Sequence, residues 1–336
     1  MKNGVAGTPA RSGPSFGSQE ALGQDAFGVP RLDCDSETRL NRVFYGHVLE
    51  PRGSILTEKS VILATTPLGE AWRSAIIASL HQTTNHLSSN PLSAENVHKA
   101  RRELKRVTAL LHLAPPHLAP LAAISRKAAR RTHRMLAEAR EATALRNALS
   151  RLEPSMPRAA RRIEACLPYP HTFAPEQKEL EAACAHLLLC AQKWAAMSDP
   201  ISANDLIESV TKNYRKGRNA AQSALIGTPK QQHDWRDEVV LLHQHLVFIA
   251  PKALSSLRHL ANELREFLGD CNDLDQLMSF VRTNLDIKDA DQFKLERAAK
   301  KRHARLLGFA EKTSVKLFAQ RPRDVRHILI KLENQR

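Results

Sequence analysis

Residues 97–113 read VHKARRELKRVTALLHL, and this stretch decides the fold because it carries two stripes at helical spacing. The apolar stripe consists of Val97, Ala100, Leu104, Val107 and Leu111. The polar stripe lies about 100° further around the helix and consists of His98, Arg101, Lys105, Thr108 and His112. We predict a helix that packs through the first stripe and presents His98, Arg101 and Lys105 beside it. Arg102 and Arg106 widen the cationic surface.

The charge on this helix is almost all of one sign, since Glu103 is the only acid between His98 and Arg106. An ordinary amphipathic helix with a solvated charged face is the alternative interpretation. A surface that only stabilises a helix usually interleaves both signs to gain pairs four residues apart. The one-sign face therefore favours an anionic partner.

The composition of the 336-residue chain supports that interpretation, with a net charge of +15 and an isoelectric point near 9.9. Such a balance favours nucleic acid, a phosphate polymer or an anionic surface as partner, although some basic proteins are merely soluble and basic. Only 5% of the residues are aromatic, which is poor for a protein that stacks single-stranded bases.

The cysteines indicate a reducing compartment, because their number is odd and none forms a C-x-x-C pair. They are Cys34, Cys166, Cys184, Cys190 and Cys271. Lys2 is followed by no apolar signal region, and no stretch approaches about 18 consecutive apolar residues. We therefore predict a soluble, cytoplasmic protein without membrane insertion.

The chain divides into a polar lead-in and a long helical region. Residues 1–38 are predicted to be disordered, residues 39–66 are ambiguous between strands and helical turns, and residues 323–336 form a C-terminal tail. The helical region spans 67–322, with halves of about 67–197 and 201–322 separated at Ser198–Asp199–Pro200. Its predicted helices are 67–87, the central helix, 121–152, 175–197, 204–224, 233–248, 251–269, 273–284 and 289–320. The predicted class is all-α.

A faint internal repeat links the two halves. His98 and Arg101 are followed some forty residues later by Arg140-Glu141, and His233 and Arg236 are followed at a similar distance by Asn272-Asp273. Two related helical bundles, each with a polar helix facing a shared cleft, would explain this arrangement.

Further basic residues cluster on three other predicted helices, and together with the central helix they could line a groove for a polyanion. The first cluster is Arg126, Arg130, His133 and Arg134, with Lys127 and Arg131 beside it. The second is Lys212, Arg215, Lys216 and Arg218 around Tyr214. The third is Arg297, Lys300, Lys301, Arg302 and Arg305. Taken singly, each cluster is typical of a solvated face.

Signatures of catalysis and of metal binding are missing. The chain has no phosphate-binding glycine loop and no H-x-x-x-H pair, and the G-x-S-x-G at 13–17 lies in the segment predicted to be disordered. We interpret the nearby acids as partners of basic side chains rather than as a general acid and base; they are Glu141, Asp270, Asp273 and Asp275. We predict no cofactor, no metal and no enzymatic activity.

The ordered motifs resemble the CHAD family, the conserved histidine α-helical domain, over about residues 67–322. The motifs are VHKARRELKR at 97–106, NYRKGR at 213–218, HDWR at 233–236, LGDCNDLDQL at 268–277, and a last helix with Arg297 and Lys300–Arg302 that ends in LFAQRP at 317–322. The resemblance implies two helical bundles related by a pseudo-twofold axis. It also implies non-catalytic binding of inorganic polyphosphate in a basic central groove, and some members are associated with polyphosphate or storage granules in prokaryotic cells.

Carried onto this chain, the resemblance implies three groups of polyphosphate-binding residues. The first half contributes His98, Arg101, Lys105 and Arg106. The second half contributes Tyr214, Arg215, Lys216, Arg218, His233 and Arg236. The last helix contributes Arg297, Lys300 and Lys301. From the charge clusters alone, Arg102, Arg126, Arg130 and Arg134 join the predicted site.

The chain departs from the family pattern after the second histidine motif, where Asp237, Glu238 and Val240 stand in place of basic residues. Thr108 replaces a common arginine, and Arg140-Glu141 replaces the usual Arg-Asp. These changes predict an asymmetric site dominated by residues 98–134. A nucleic-acid binder, a polyphosphate hydrolase and a granule scaffold remain the alternative functions. The triphosphate-tunnel signature E-x-E-x-K, which precedes this domain in some members, is missing from the chain.

Overall fold

The structure is a computed structural model that describes residues 66–89, 92–136, 138–168, 175–249 and 253–335, without the side chains of 138–141. All regular elements in these ranges are helices, as predicted for an all-α protein. They are α1 (Leu68–Leu87), α2 (Ala94–Leu111), α3 (Ala119–Met135), α4 (Glu138–Ser150), α5 (Pro157–Cys166), α6 (Gln177–Ala195), α7 (Ala203–Leu225), α8 (Pro229–Ile249), α9 (Ser255–Asn284), α10 (Asp289–Leu317) and α11 (Pro322–Glu333). The predictions for residues 1–65 lie outside the described residues.

Helix α2 forms as its sequence pattern predicts. Ser93 caps its start, because the Ser93 side chain accepts a hydrogen bond of 3.1 Å from the backbone N–H of Asn96. All five members of the apolar stripe are buried, and Leu104 and Val107 are at most 1% exposed. The helix ends at His112, shortly before Pro115 and Pro116 exclude a further turn.

The first half of the fold is a closed ring of four helices, in which α1 contacts α2, α2 contacts α3, α3 contacts α6 and α6 contacts α1. Two tryptophans fill its centre: Trp72 in α1 and Trp194 in α6 meet edge to face, with ring centroids 5.3 Å apart. Such pairs stabilise a core beyond the apolar area that they bury.

The second half repeats this order of contacts in the ring α7, α8, α9 and α10, with α11 packed against α7. The two rings meet where α2 contacts α8 and α1 contacts α7. Equal contact orders are what a twofold relation between the halves would produce, but the axis itself stays a prediction.

Helices α4 and α5 follow the first ring's α3 in the chain but pack on α9 and α10 of the second. They build a separate apolar cluster there, in which Leu149 and Ile163 meet Leu277 and Leu295. These two helices pack on the outside of α9 and α10 and position the start of α5 beside α10.

Two predicted helix boundaries were wrong, and tertiary contacts explain both. The predicted helix 121–152 is broken after Met135, because the Arg101 guanidinium donates to the carbonyls of His133 (3.2 Å) and Leu136 (2.6 Å) and so ends α3. The predicted gap between 269 and 273 is helical in α9, because the buried positions Leu268 and Cys271 continue the apolar seam across Gly269.

Prolines misled the prediction in two other places. Pro157 and Pro322 lie outside all of the predicted helices, yet each occupies the first turn of a helix, α5 and α11. Proline is favoured there because the missing N–H would have no helical partner. The predicted C-terminal tail therefore contains α11, whose Val325 and Leu329 are buried.

Candidate functional site

His112 lies near cationic side chains of two other helices, α3 and α7. It caps the end of α2 and is half-buried, and its Nδ1 lies 3.3 Å from a guanidinium nitrogen of Arg126 in α3. Burial, and to a smaller extent the charges of Arg126, Arg130 and Lys216, together lower the pKa of His112 to about 4. Lys216 belongs to α7, so this site, which we call the His112 cluster, joins side chains of both rings.

The α3 part of the His112 cluster opens into a surface cavity of about 370 Å³. Its lining consists of Ala123, Arg126, Lys127, Arg130 and Arg134. Arg126, Arg130 and Arg134 recur every four residues and therefore lie on one side of α3. Of the basic stripe predicted on this helix, these three arginines share one surface, whereas His133 is half-buried, does not line the cavity, and accepts a hydrogen bond from Arg101 through its backbone carbonyl.

The NYRKGR motif of α7 separates into inward and outward residues. Arg215, Lys216 and Arg218 are exposed. Tyr214 is fully buried, and its hydroxyl lies 3.0 Å from the Leu317 carbonyl and 3.1 Å from the Gln320 carbonyl. The prediction that Tyr214 binds the ligand is therefore corrected, because its ring and hydroxyl are occupied inside the protein. Burial raises the pKa of this phenol to about 12.

On α2, the predicted residues have two different roles. His98, Arg102 and Lys105 are exposed, whereas Arg101 is half-buried and bound to the two carbonyls at the end of α3. Arg106 lies 3.8 Å from the Glu103 carboxylate. Arg101 thus holds α2 to α3, and the exposed polar stripe runs along α2 to the His112 cluster at its end.

The second histidine motif is engaged by its own surroundings. His233 Nδ1 lies 3.2 Å from Asn272 Oδ1, and the Asp237 carboxylate lies 3.6 Å from His233 and 3.5 Å from Arg236. Glu238 lies 3.7 Å from Lys216. The acids that follow this motif therefore offset part of the positive charge of the second half, as their place in the sequence suggested.

The α10 residues lie apart from the His112 cluster. Arg297, Lys300 and Lys301 are exposed, and Arg297 and Lys301 line a different cavity, next to α5. Lys301 precedes Leu317 by sixteen residues, which separates them by about 24 Å along the helix axis. Leu317 contacts Tyr214, which lies two residues from Lys216 of the His112 cluster. The cations of α10 are far from Leu317 along the helix, so the structure does not bring them into the His112 cluster.

Three of the four predicted acids are ion-pair partners. Asp270 contacts Arg151 at 2.8 Å and Arg302 at 3.4 Å, while Asp273 and Asp275 lie near Arg151 and His303. Burial raises the pKa of Asp270, and the two arginines oppose that shift. Glu141 lies outside the described side chains. In the described part of the chain, no three His, Cys, Asp or Glu side chains come together as a metal site would require.

None of the helices in the described ranges has the length and apolar character needed to span a bilayer.

His112 is the site residue that the sequence interpretation left out, although its signal was present. It is the last member of the polar stripe of α2, seven residues after Lys105 and four after Thr108. Its surroundings depend on two tertiary contacts: α3 folds back beside the C-terminal end of α2, and α7 reaches the same place. The spacing of residues within α2 does not predict these contacts between helices.

Comparisons with known proteins give one match. Searches among curated proteins and among solved structures returned nothing significant. The family model described as the CHAD domain matches residues 75–282, from α1 to the end of α9. The α10 residues Arg297, Lys300 and Lys301 fall beyond the matched span. Because the match covers more than half of the 336 residues, the chain belongs to the CHAD domain family.

Proposed function

We propose that this protein binds inorganic polyphosphate without turning it over, and that the His112 cluster is the centre of the binding surface. The observation that carries the proposal is that Arg126 contacts His112 at 3.3 Å, while Arg130 and Lys216 lie near enough for their charges to lower the pKa of His112. The α3 cavity adds Lys127 and Arg134. Guanidinium groups suit phosphate oxygens through paired donors, and lysine acts as a mobile point charge.

A flexible anionic chain fits this surface better than a nucleic acid. All three tryptophans, Trp72, Trp194 and Trp235, are buried, and so is Tyr214. These aromatic rings therefore offer no platform on which bases could stack. Recognition that depends on charge alone suits a ligand that carries phosphates and no bases.

Catalysis is not part of the proposal. Asp270 and Asp273 are engaged by Arg151, and a carboxylate held in an ion pair is poorly placed to act as a general base. We further propose that the protein acts in the cytoplasm, where the basic surface would direct it to polyphosphate or storage granules.

The proposal predicts a selective loss of polyphosphate affinity in α3 variants. Arg126→Ala and Arg130→Ala should each weaken binding about tenfold, since a charge-assisted hydrogen bond contributes about 1.5 kcal/mol or more. Arg131→Ala is the matched control, because Arg131 is exposed in the same turn of α3 but does not line the cavity. Binding is measured by titrating long-chain polyphosphate at about 150 mM salt, where non-specific electrostatic binding is weak.

Duplex and single-stranded DNA serve as competitors in the same titration. Neither should displace the polyphosphate. Equal weakening by Arg131→Ala, or free exchange with DNA, would mean that the surface binds polyanions without selectivity and would contradict the proposal. Release of phosphate in the presence of divalent metal would favour the hydrolase alternative instead.

A second prediction concerns pH. In the free protein the cations of the His112 cluster help to lower the pKa of His112 to about 4. Bound phosphates would offset those charges and raise the pKa of His112 above its value in the free protein, so the complex would take up a proton at a higher pH than the free protein does. Affinity should therefore rise on acidification from pH 7 to pH 5, and this rise should shrink in His112→Gln. An identical pH profile in the variant would exclude His112 from the binding surface.

A further inference from the structure

A second basic cavity, of about 520 Å³, lies between the start of α5 and the first half of α10. Its floor is apolar, with Met156, Pro157, Ala159 and Ala298. Its cationic residues are Arg158 from α5 and Lys294, Arg297 and Lys301 from α10. All four cationic side chains are exposed. The cavity therefore has a positive rim that is contributed by two helices.

The acids that could neutralise this rim are engaged elsewhere. Asp291 accepts two hydrogen bonds from Arg162, one of them 2.6 Å long, and Glu296 lies 3.0 Å from Arg282. Among the described residues, none of the four rim cations makes a hydrogen bond or an ion pair. Asp291 interacts electrostatically with Lys294, and the positive charge of Arg158, Arg297 and Lys301 is left for a ligand or for counterions.

The start of α5 adds to this positive charge. Met156 precedes the helix, and no side chain caps the helix there. The free backbone N–H groups of the first turn point out of the N-terminal end of the helix, where the helix dipole favours an anion. Ser155, Met156 and Pro157 line the cavity, so this end of α5 borders the space between the four cations.

The cavity is held in place by the core beneath it. Ala160 and Ile163 of α5 are buried against α9 and α10, and the Arg162–Asp291 pair fastens α5 to α10 beside the rim. Arg146 donates to the Leu167 carbonyl at 3.1 Å and so secures the end of α5. The backbone positions that carry the four cations are therefore fixed relative to one another, which reduces the ordering cost of binding to that of the side chains.

We infer that this cavity, which we call the α5 cavity, is a second phosphoryl-binding site that holds a short run of linked phosphates. The choice of phosphate rests on the proposed function, whereas the presence of an anion site rests on the four cations alone. The apolar floor offers no partner for hydroxyls or bases, so the ligand is recognised by its charge. The distance along α10 places this site apart from the His112 cluster.

The test uses tripolyphosphate and residue-resolved acetylation of lysines in the full-length protein, followed by mass spectrometry. Tripolyphosphate should protect Lys294 and Lys301 several-fold at about 150 mM salt. Lys300 is the internal control, because it is exposed next to Lys301 but does not line the α5 cavity. Equal protection of Lys300 would indicate general charge screening, and no protection of Lys301 would indicate no site; either result overturns the inference.

Variants separate this inference from the proposed function. In Arg158→Ala/Arg297→Ala the protection of Lys301 should disappear, and in Arg126→Ala/Arg130→Ala it should persist. Both changes replace exposed or half-buried surface side chains, and thermal unfolding checks that the fold is intact. If Arg126→Ala/Arg130→Ala abolishes the protection of Lys301, the α5 cavity is not a separate site and the inference fails. If Arg126→Ala and Arg130→Ala leave the affinity for long-chain polyphosphate unchanged while Lys301 is still protected, the proposed role of the His112 cluster is wrong and the inference stands.

Discussion

Replacing Trp72 with alanine is expected to lower the free energy of unfolding by about 4 kcal/mol, the usual cost of removing a fully buried large aromatic side chain. Trp72 in α1 is fully buried, packs edge to face on Trp194 of α6, and donates from its indole nitrogen to the Leu110 carbonyl of α2 at 2.8 Å. One side chain thus joins three of the four helices in the first ring. Since whole domains are stable by only about 5–15 kcal/mol, this loss would be a large part of the total.

Equilibrium unfolding in denaturant measures this effect, and two further variants interpret it. Trp72→Phe keeps an aromatic ring but removes the indole N–H, so its cost should be smaller than that of alanine. Phe293→Ala is the control, because Phe293 is also aromatic but is 66% exposed, and its loss should cost less than about 1 kcal/mol. Equal losses for Trp72→Ala and Phe293→Ala would contradict the central place of Trp72 in the first ring.

The loss of Trp72 should also weaken polyphosphate binding under conditions where the variant is partly unfolded. The first ring contains α2 and α3, which carry His112, Arg126 and Arg130. Their surface exists only while the ring is closed. Stability and affinity should therefore fall together in this variant, whereas Arg126→Ala should change the affinity alone.

The fold class could be predicted because apolar residues recur at helical spacing in α2, and the structure buries every one of them. The ends of the helices were harder to predict wherever a distant residue decides them. Nothing in the sequence around Leu136 stops a helix, since alanine, glutamate and arginine are good helix formers. The stop is made by Arg101, thirty-five residues earlier, which binds the carbonyls there.

Local signals were also ambiguous at Pro157 and Pro322. A proline ends one helix or begins the next, and only the apolar residues that follow it distinguish the two. Ala160 and Ile163 after the first proline, and Val325 and Leu329 after the second, are buried and so mark helices. These stretches are short, and their apolar residues find partners only in the folded protein.

The candidate site was predictable in part from helical spacing. The spacing of Arg126, Arg130 and Arg134 places them on one side of a helix, and the structure finds them lining one cavity. Tyr214 entered the predicted site through the resemblance of its motif to the family, whereas the structure buries it. Its burial depends on Leu317 and Gln320, about a hundred residues later. The approach of Lys216 to His112 likewise depends on the contact between the two rings.

That contact contains a second histidine, His245, and its burial predicts how the stability of the protein depends on pH. His245 in α8 is 1% exposed; its Nε2 lies 2.9 Å from the Ala109 carbonyl of α2, and its Nδ1 lies 3.1 Å from Asn213 Oδ1 of α7. The pKa of His245 is lowered to about 4, mainly by burial; the bond to Ala109 opposes that shift and the nearby His112 adds to it. The folded protein therefore holds His245 neutral at pH 7.

Acidification should destabilise the protein through this residue. Between the folded pKa of about 4 and the unfolded value of 6.5, the unfolded chain binds a proton that the folded chain does not. The stabilisation is therefore fully present above about pH 6.5 and is lost as the pH falls toward 4, by about 3 kcal/mol at most. The lowered pKa values of His112 and His243 act in the same direction.

The measurement is the free energy of unfolding at pH 7 and at pH 4, for the unchanged protein and for His245→Gln. Glutamine can still donate to the Ala109 carbonyl but does not titrate, so the fall between the two pH values should be smaller by about 3 kcal/mol. An unchanged fall in the variant would contradict the prediction. A protein that gains stability on acidification would also contradict it, and would show that a charged ring donates to both Ala109 and Asn213. Because the backbone N–H of His112 donates to the same Ala109 carbonyl at 3.1 Å, a change at His245 acts directly beside the His112 cluster.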